Sequence, residues 1–163
     1  LAFTVYWGAA HFGGCVFAGQ AWLDNCVWFG GADFSGVKFK KKTDFEEARL
    51  LGAADFSGAS FARVPAFTGG VFNAAAENVF EVSAKSKQPL PLAGGIPQGA
   101  RALTATERQV LAERLQAAGA GRETNAREFE QPRSELIRWV RYEVAGTPDE
   151  AEADSAGVFT EAA

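Results

Sequence analysis

Large apolar residues recur every eleven positions through the first half of the chain, in two columns. One holds Leu1, Phe12, Leu23, Phe34, Phe45, Phe56 and Phe67; the other holds Tyr6, Phe17, Trp28, Phe39, Leu50, Phe61 and Phe72. Two positions before most of these sits a smaller residue. Before the first column these are Ala10, Ala21, Ala32, Thr43, Ala54 and Pro65; before the second, Thr4, Cys15, Cys26, Val37, Ala48, Ala59 and Gly70. Residues two apart on an extended chain point to the same side. Each half-unit therefore offers one small and one large side chain to an interior and turns polar or tiny residues outward. Neither a helical period nor a sustained alternation accounts for the pattern, so a stacked coil is expected.

Alternate units are more alike than neighbours. The run ADFSG at 32–36 returns at 54–58, while 43–47 reads TDFEE. Trp7-Gly8-Ala9, Phe29-Gly30-Gly31 and Leu51-Gly52-Ala53 form one series, with Ala18-Gly19-Gln20, Lys40-Lys41-Lys42 and Ala62-Arg63-Val64 between them. A turn of eleven residues would leave this alternation without a cause, whereas a turn of twenty-two stacks like on like. The expectation is four short faces per turn and roughly 3.5 to 4 turns, each rising ~4.8 Å.

The runs ADFSG-VKF and ADFSG-ASF resemble the pentapeptide-repeat family, and most of all the subgroup whose units alternate five and six residues. The resemblance covers residues 1–83 and departs from the family pattern at Pro65, at Trp22 and His11, and at Asn78, where the column ends. It implies a right-handed quadrilateral β-helix with four units per turn, in accord with the twenty-two-residue period. The fold class expected is mainly β, with a short α-helical C-terminal region after the coil.

Repetition stops near residue 78. Pro89, Pro91, Pro97 and Gly94-Gly95 mark residues 84–103 as an irregular connector. Residues 104–163 read as a helical region with a frayed acidic tail. Thr104 and Glu107 have capping-box spacing, and Val110, Leu111, Leu115 and Ala118 form one apolar face ended by Gly119 and Gly121. Pro132 and Ser134 open a second segment with the stripe Leu136, Ile137, Val140 and Val144, Trp139 beside it, and Thr147 to Glu150 reads as a third helix start. Such helices need a surface on which to bury their faces. Trp7, Phe29 and Leu51, twenty-two apart, would supply an outward apolar ridge for those helices or for a partner chain. A homodimer through the C-terminal helices is the alternative.

The net charge of −4 over 163 residues is spread along both halves, so direct nucleic-acid binding is not expected. No apolar run is long enough to span a membrane, and cytoplasmic is the default location. The chain lacks Met and begins in mid-repeat at Leu1, which reads as a piece of a longer polypeptide. High Ala, Gly and Arg usage suits a GC-rich bacterial source. Cys15 and Cys26 occupy the small interior column and read as buried fillers rather than as a disulfide. No Cys/His cluster suggests zinc.

Candidate chemistry is thin. His11, Asp33 and Ser35 could be assembled into a Ser/His/Asp set, but no sequence feature orders them. Asp33, Asp44 and Asp55 fit turns that bond their own backbone better than a calcium array. Glu46 and Glu47 are adjacent and would point apart on a strand. The Gly pairs lack the lysine and hydroxyl residue of a phosphate loop. Lys38, Lys40, Lys41 and Lys42, with Arg63 above Lys41, form the one strong charge cluster: a candidate anion patch, or a lysine-rich edge that keeps a sheet protein soluble. No catalytic residue, cofactor or metal site is assigned. The function expected is a non-catalytic scaffold for an unidentified protein partner. The alternative, taken from the resemblance, is a DNA-mimicking modulator of a type II topoisomerase such as gyrase; an enzyme with an unrecognised site comes third. Seven acidic against six basic residues in positions 1–80 weaken the mimic reading.

Overall fold

The computed structural model describes residues 1–120 and 127–144, in two units: a coil, Leu1–Ala102, and a helical unit that starts at Leu103. The coil is built from two-residue strands. The first turn carries β1 (Val5–Tyr6), β2 (Ala10–His11), β3 (Val16–Phe17) and β4 (Ala21–Trp22). The second carries β5 (Val27–Trp28), β6 (Ala32–Asp33), β7 (Lys38–Phe39) and β8 (Thr43–Asp44). The third carries β9 (Arg49–Leu50), β10 (Ala54–Asp55) and β11 (Ser60–Phe61), followed by β12 (Val71–Phe72).

Each repeat strand pairs in parallel with one twenty-two residues before or after it, as in Tyr6↔Trp28, Ala10↔Ala32, Phe17↔Phe39 and Trp22↔Asp44. The protein is a β-solenoid of about three turns, with four ladders formed in parallel. Stacking of like on like is visible in the rings. Phe34 lies between Phe12 and Phe56 at 5.0 and 5.1 Å, stacked nearly parallel to both, but meets Phe45 edge-on at an interplanar angle of 88°. The two columns of the sequence are thus four ladders inside the coil, and the neighbours eleven apart meet across the interior.

The local device that repeats is a tight turn after each member of the first column. The amide of residue i+3 donates to the carbonyl of the column residue, as Cys15 does to Phe12 (2.9 Å), Ala48 to Phe45 (3.1 Å) and Gly70 to Phe67 (2.9 Å). The third residue of each turn has positive φ: Phe3, Gly14, Asn25, Gly36, Glu47, Gly58 and Gly69, every eleven residues. That conformation is strained for an L-residue and free for glycine, which explains the glycines at four of these positions. Asp residues one position ahead of the column residue brace the turn. Asp33, Asp44 and Asp55 each accept from the amide two residues on, at 2.8–2.9 Å. The turn role read from the sequence is the one observed.

The connector at 84–103 is more ordered than its composition suggests. A hairpin of β13 (Leu92–Ala93) and β14 (Ile96–Pro97) precedes β15 (Arg101–Ala102), which adds to the edge of β12 in parallel. Val71 thus pairs with Arg101 across thirty positions instead of twenty-two. The period slips where Asn78 replaces a column residue. Its side chain accepts from the Ala54 amide and donates to the Asn73 carbonyl, a strand's work done by an amide group. Leu90 and Ile96 then join the interior cluster and extend it past residue 83. Prolines that break a repeat do not forbid a hairpin and one more rung.

The helical unit holds α1 (Ala105–Ala117), a short 3-10 turn (Arg127–Phe129) and α2 (Glu130–Tyr142). Thr104 and Glu107 form the expected capping box. Gly119 ends α1 with φ +73°. Arg133 of α2 donates to the carbonyl of Ala118, and Arg114 lies 5.5 Å over the Trp139 ring, so the two helices hold each other by polar and cation–π contacts. Leu136, Val140 and Val144 of the expected stripe are buried, Ile137 is half-buried, and Trp139 beside the stripe is buried as well. Gly121 and the helix start at Thr147 lie outside the described residues.

Candidate functional site

Inside the coil every ladder is large and apolar; outside, the chemistry varies. The strand register sets His11, Asp33 and Asp55 in one outward column, Val16, Lys38 and Ser60 in a second, and Trp22 and Asp44 in a third.

The first column brings together the residues that the sequence left unordered. His11 Nδ1 lies 3.8 Å from Asp33 Oδ2, and the Ser35 hydroxyl donates to Asp33 Oδ1 at 2.6 Å. The expectation that nothing orders these groups is therefore corrected: parallel pairing sets His11 beside Asp33, and the turn ties Ser35 to the carboxylate. The order is wrong for nucleophilic catalysis. The carboxylate stands between hydroxyl and imidazole, so the hydroxyl proton is held by Asp33 and His11 cannot take it. The bonds from the Ser35 hydroxyl and amide, with a smaller contribution from His11, hold the Asp33 carboxyl below its ordinary range.

The lysine cluster divides. Lys42 Nζ sits 3.8 Å from Asp44 Oδ2 and 5.5 Å over the exposed Trp22 ring, so its charge is already engaged. Lys41 and Arg63 are exposed. Lys38 and Lys40 flank the inward Phe39 and project outward, and there they meet two lysines the sequence reading did not include. Lys85 and Lys87 line the same groove of about 350 Å³, with Ser60 and Ala62 between the two pairs. The signal for them was present in Lys85-Ser86-Lys87, which copies Lys38-Phe39-Lys40, but the connector masked it.

Trp7, Phe29 and Leu51 follow the expected stacking, with the Trp7 and Phe29 rings 4.7 Å apart and 18° from parallel. Only Trp7 is exposed, at 38 %; Phe29 and Leu51 are buried, Phe29 partly by the Trp7 ring itself. The cysteines also separate. Cys26 is buried and donates to the Leu1 carbonyl at 2.9 Å, and burial pushes its thiol pKa up. Cys15 is exposed rather than a buried filler. It lies in the first turn, whose strands have a ladder neighbour on one side only.

Among the described residues no group of His, Cys, Asp and Glu could hold a metal ion, and no helix is long and apolar enough to cross a membrane. Residues 8–49 match the family model described as pentapeptide repeats (9 copies). No curated protein and no solved structure matches the chain.

Proposed function

We propose that this pentapeptide-repeat coil is a non-catalytic scaffold that presents columns of outward side chains to a protein partner. The observation that supports it is the contrast between the two sides of each strand. Inward positions stay large and apolar at every turn, while the outward ones of three ladders change from rung to rung: His11, Asp33, Asp55; Val16, Lys38, Ser60; Trp22, Asp44. The interior sets the spacing of the rungs at ~4.8 Å, and the exterior is free to carry any message on that grid. Trp22, 49 % exposed and held under Lys42, is the strongest single anchor of this kind. A DNA-mimicking role calls for a continuous acidic face, and Lys38 on β7 and Lys40 just after it, which form no ion pair among the described residues, speak against it. Photo-cross-linking tests the proposal, with a photoreactive residue placed at position 22, 38 or 55 of the full chain in its source cells. A protein adduct at one position and not the others, either a second copy or another protein, is the expected result. Equal or absent adducts at all three, with the melting point unchanged, would refute it.

A further inference from the structure

We propose that the groove between Lys38, Lys40, Lys85 and Lys87 binds a diphosphoryl group, either free or borne by a nucleotide. The four lysines come from segments forty-five or more residues apart and arrive on one face by two separate devices. Lys38 and Lys40 leave β7 on either side of Phe39, whose ring is buried in the interior. Lys85 and Lys87 flank Ser86 in the same way. The Ser86 hydroxyl donates to the Gln88 carbonyl and accepts from the Phe61 amide at 2.8 Å, which turns Ser86 toward the ladder and its two neighbours away. A turn closed by the Ser86 amide on the Ser83 carbonyl fixes Lys85, and Gln88 bridges antiparallel to Phe61.

Between the two lysine pairs runs β11, and Ser60 on it and Ala62 just after it line the groove. The result is a trough with a small floor and cationic walls. The walls stand two strand spacings apart, on the order of 10 Å at the backbone. A trough of that width admits a group with negative oxygens on both flanks, and a diphosphoryl unit has them. The Ser60 hydroxyl on the floor can donate to a bridging or terminal oxygen. None of the four lysines forms an ion pair among the described residues, in contrast to Lys42. Four like charges set around one hollow raise the local concentration of anions and repel one another until one arrives. Lysine reads phosphate as a point charge, so the site selects charge and spacing more than a fixed orientation. An edge guarded by lysines merely for solubility would place them along the open strand. Here Lys38 lies on an inner strand, β7, paired on both sides, and Lys40 directly follows it, while Lys85 and Lys87 belong to the outer segment.

The experiment is calorimetric titration of the full chain with inorganic pyrophosphate and, separately, with ADP, at low and at moderate salt. Pyrophosphate should bind with one-site stoichiometry and weaken as salt rises. The double variant Lys38→Gln/Lys85→Gln should lose about tenfold or more in affinity, while Lys41→Gln should change it less than about twofold. Equal binding of ADP and pyrophosphate would assign a free diphosphate, and tighter ADP a nucleotide. All of these side chains are exposed, and a shared melting point verifies that the variants fold. Absence of binding to both probes, or equal loss in Lys41→Gln, would overturn the proposal and leave the scaffold reading untouched.

Discussion

Replacing Phe45 with alanine probes the interior where the packing is densest. The side chain is fully buried and meets five rings: Phe67 stacked at 4.8 Å, Phe34 and Phe56 edge-on at 5.4 and 5.7 Å, and Trp28 and Phe39 at 6.3 Å. Returning such a side chain to water costs ~2–3 kcal/mol on area alone. The neighbours cannot close the void, because each is carried on a strand or tight turn fixed by backbone hydrogen bonds. The full cost should therefore reach the upper part of the usual range for Phe→Ala, about 4–5 kcal/mol. Asp33→Ala serves as the outward control. It removes two hydrogen bonds to Ser35 from a half-exposed site, for a loss of ~1 kcal/mol. Urea unfolding followed by far-ultraviolet circular dichroism and by tryptophan fluorescence, to which the buried Trp28 contributes, measures both. A loss at Phe45 below about 2 kcal/mol, or one no larger than at Asp33, would refute the division of inside from outside.

Four further outcomes are expected. Gly52→Ala should destabilise by ~1–3 kcal/mol in the same assay, because its Cβ would fall on the Gly30 carbonyl one turn away. Thr43→Val should stabilise by about 1 kcal/mol, since the Thr43 hydroxyl is buried without a partner among the described residues; a loss of that size would mean that the hydroxyl is hydrogen-bonded. Cys15 should react at once with a thiol reagent in the native protein and Cys26 only on unfolding, so two fast thiols would contradict the burial of Cys26. Because folding depresses the Asp33 pKa, its stabilisation is present above the unfolded value of about 3.9 and is lost as pH falls through the folded value. Asp33→Asn should flatten that acid limb in urea midpoints taken between pH 5 and 2.5, and an unchanged slope would place the acid sensitivity elsewhere.

How far the sequence could be read depended on whether a residue's environment repeats. Phe12, Phe34 and Phe56 occupy one environment three times, so their spacing announces a twenty-two-residue turn before any coordinate is known. The Asp turns were legible for the same reason: the local bond from Asp33 to Ser35 needs no partner from afar. What failed was non-repeating. The hairpin at 92–97 and the docking of β15 on β12 come after the period slips at Asn78, and they are tertiary events with no period. The prolines there are punctuation that can end a repeat or shape a hairpin, and composition alone does not separate the two. Cys15 was misread because periodicity assigns every member of a column the same burial. The first turn, however, has a neighbour on one side only.

The candidate groove carries that argument to the surface. Within the repeat, outward residues are the least constrained part of the chain, so their chemistry cannot be inferred from the pattern that dictates the fold. Four consecutive basic positions from Lys38 onward, broken only by Phe39, look like one patch in the sequence, but strand geometry separates them. Lys38 and Lys40 stay on one face, while Lys42 lies past the bend and pairs with Asp44. The gap is filled by Lys85 and Lys87, from the segment where repetition has ended. A surface site of this kind arises where a regular element supplies one wall and an irregular one the other. The coil fixes Lys38 and Lys40 to the spacing of its rungs, and the connector had only to copy the Lys-x-Lys alternation once, bonded through Ser86 at the right distance. This gives the closing segment a role beyond capping the coil, and makes residues 84–88 the first place where a change of side chain would alter binding without altering the fold.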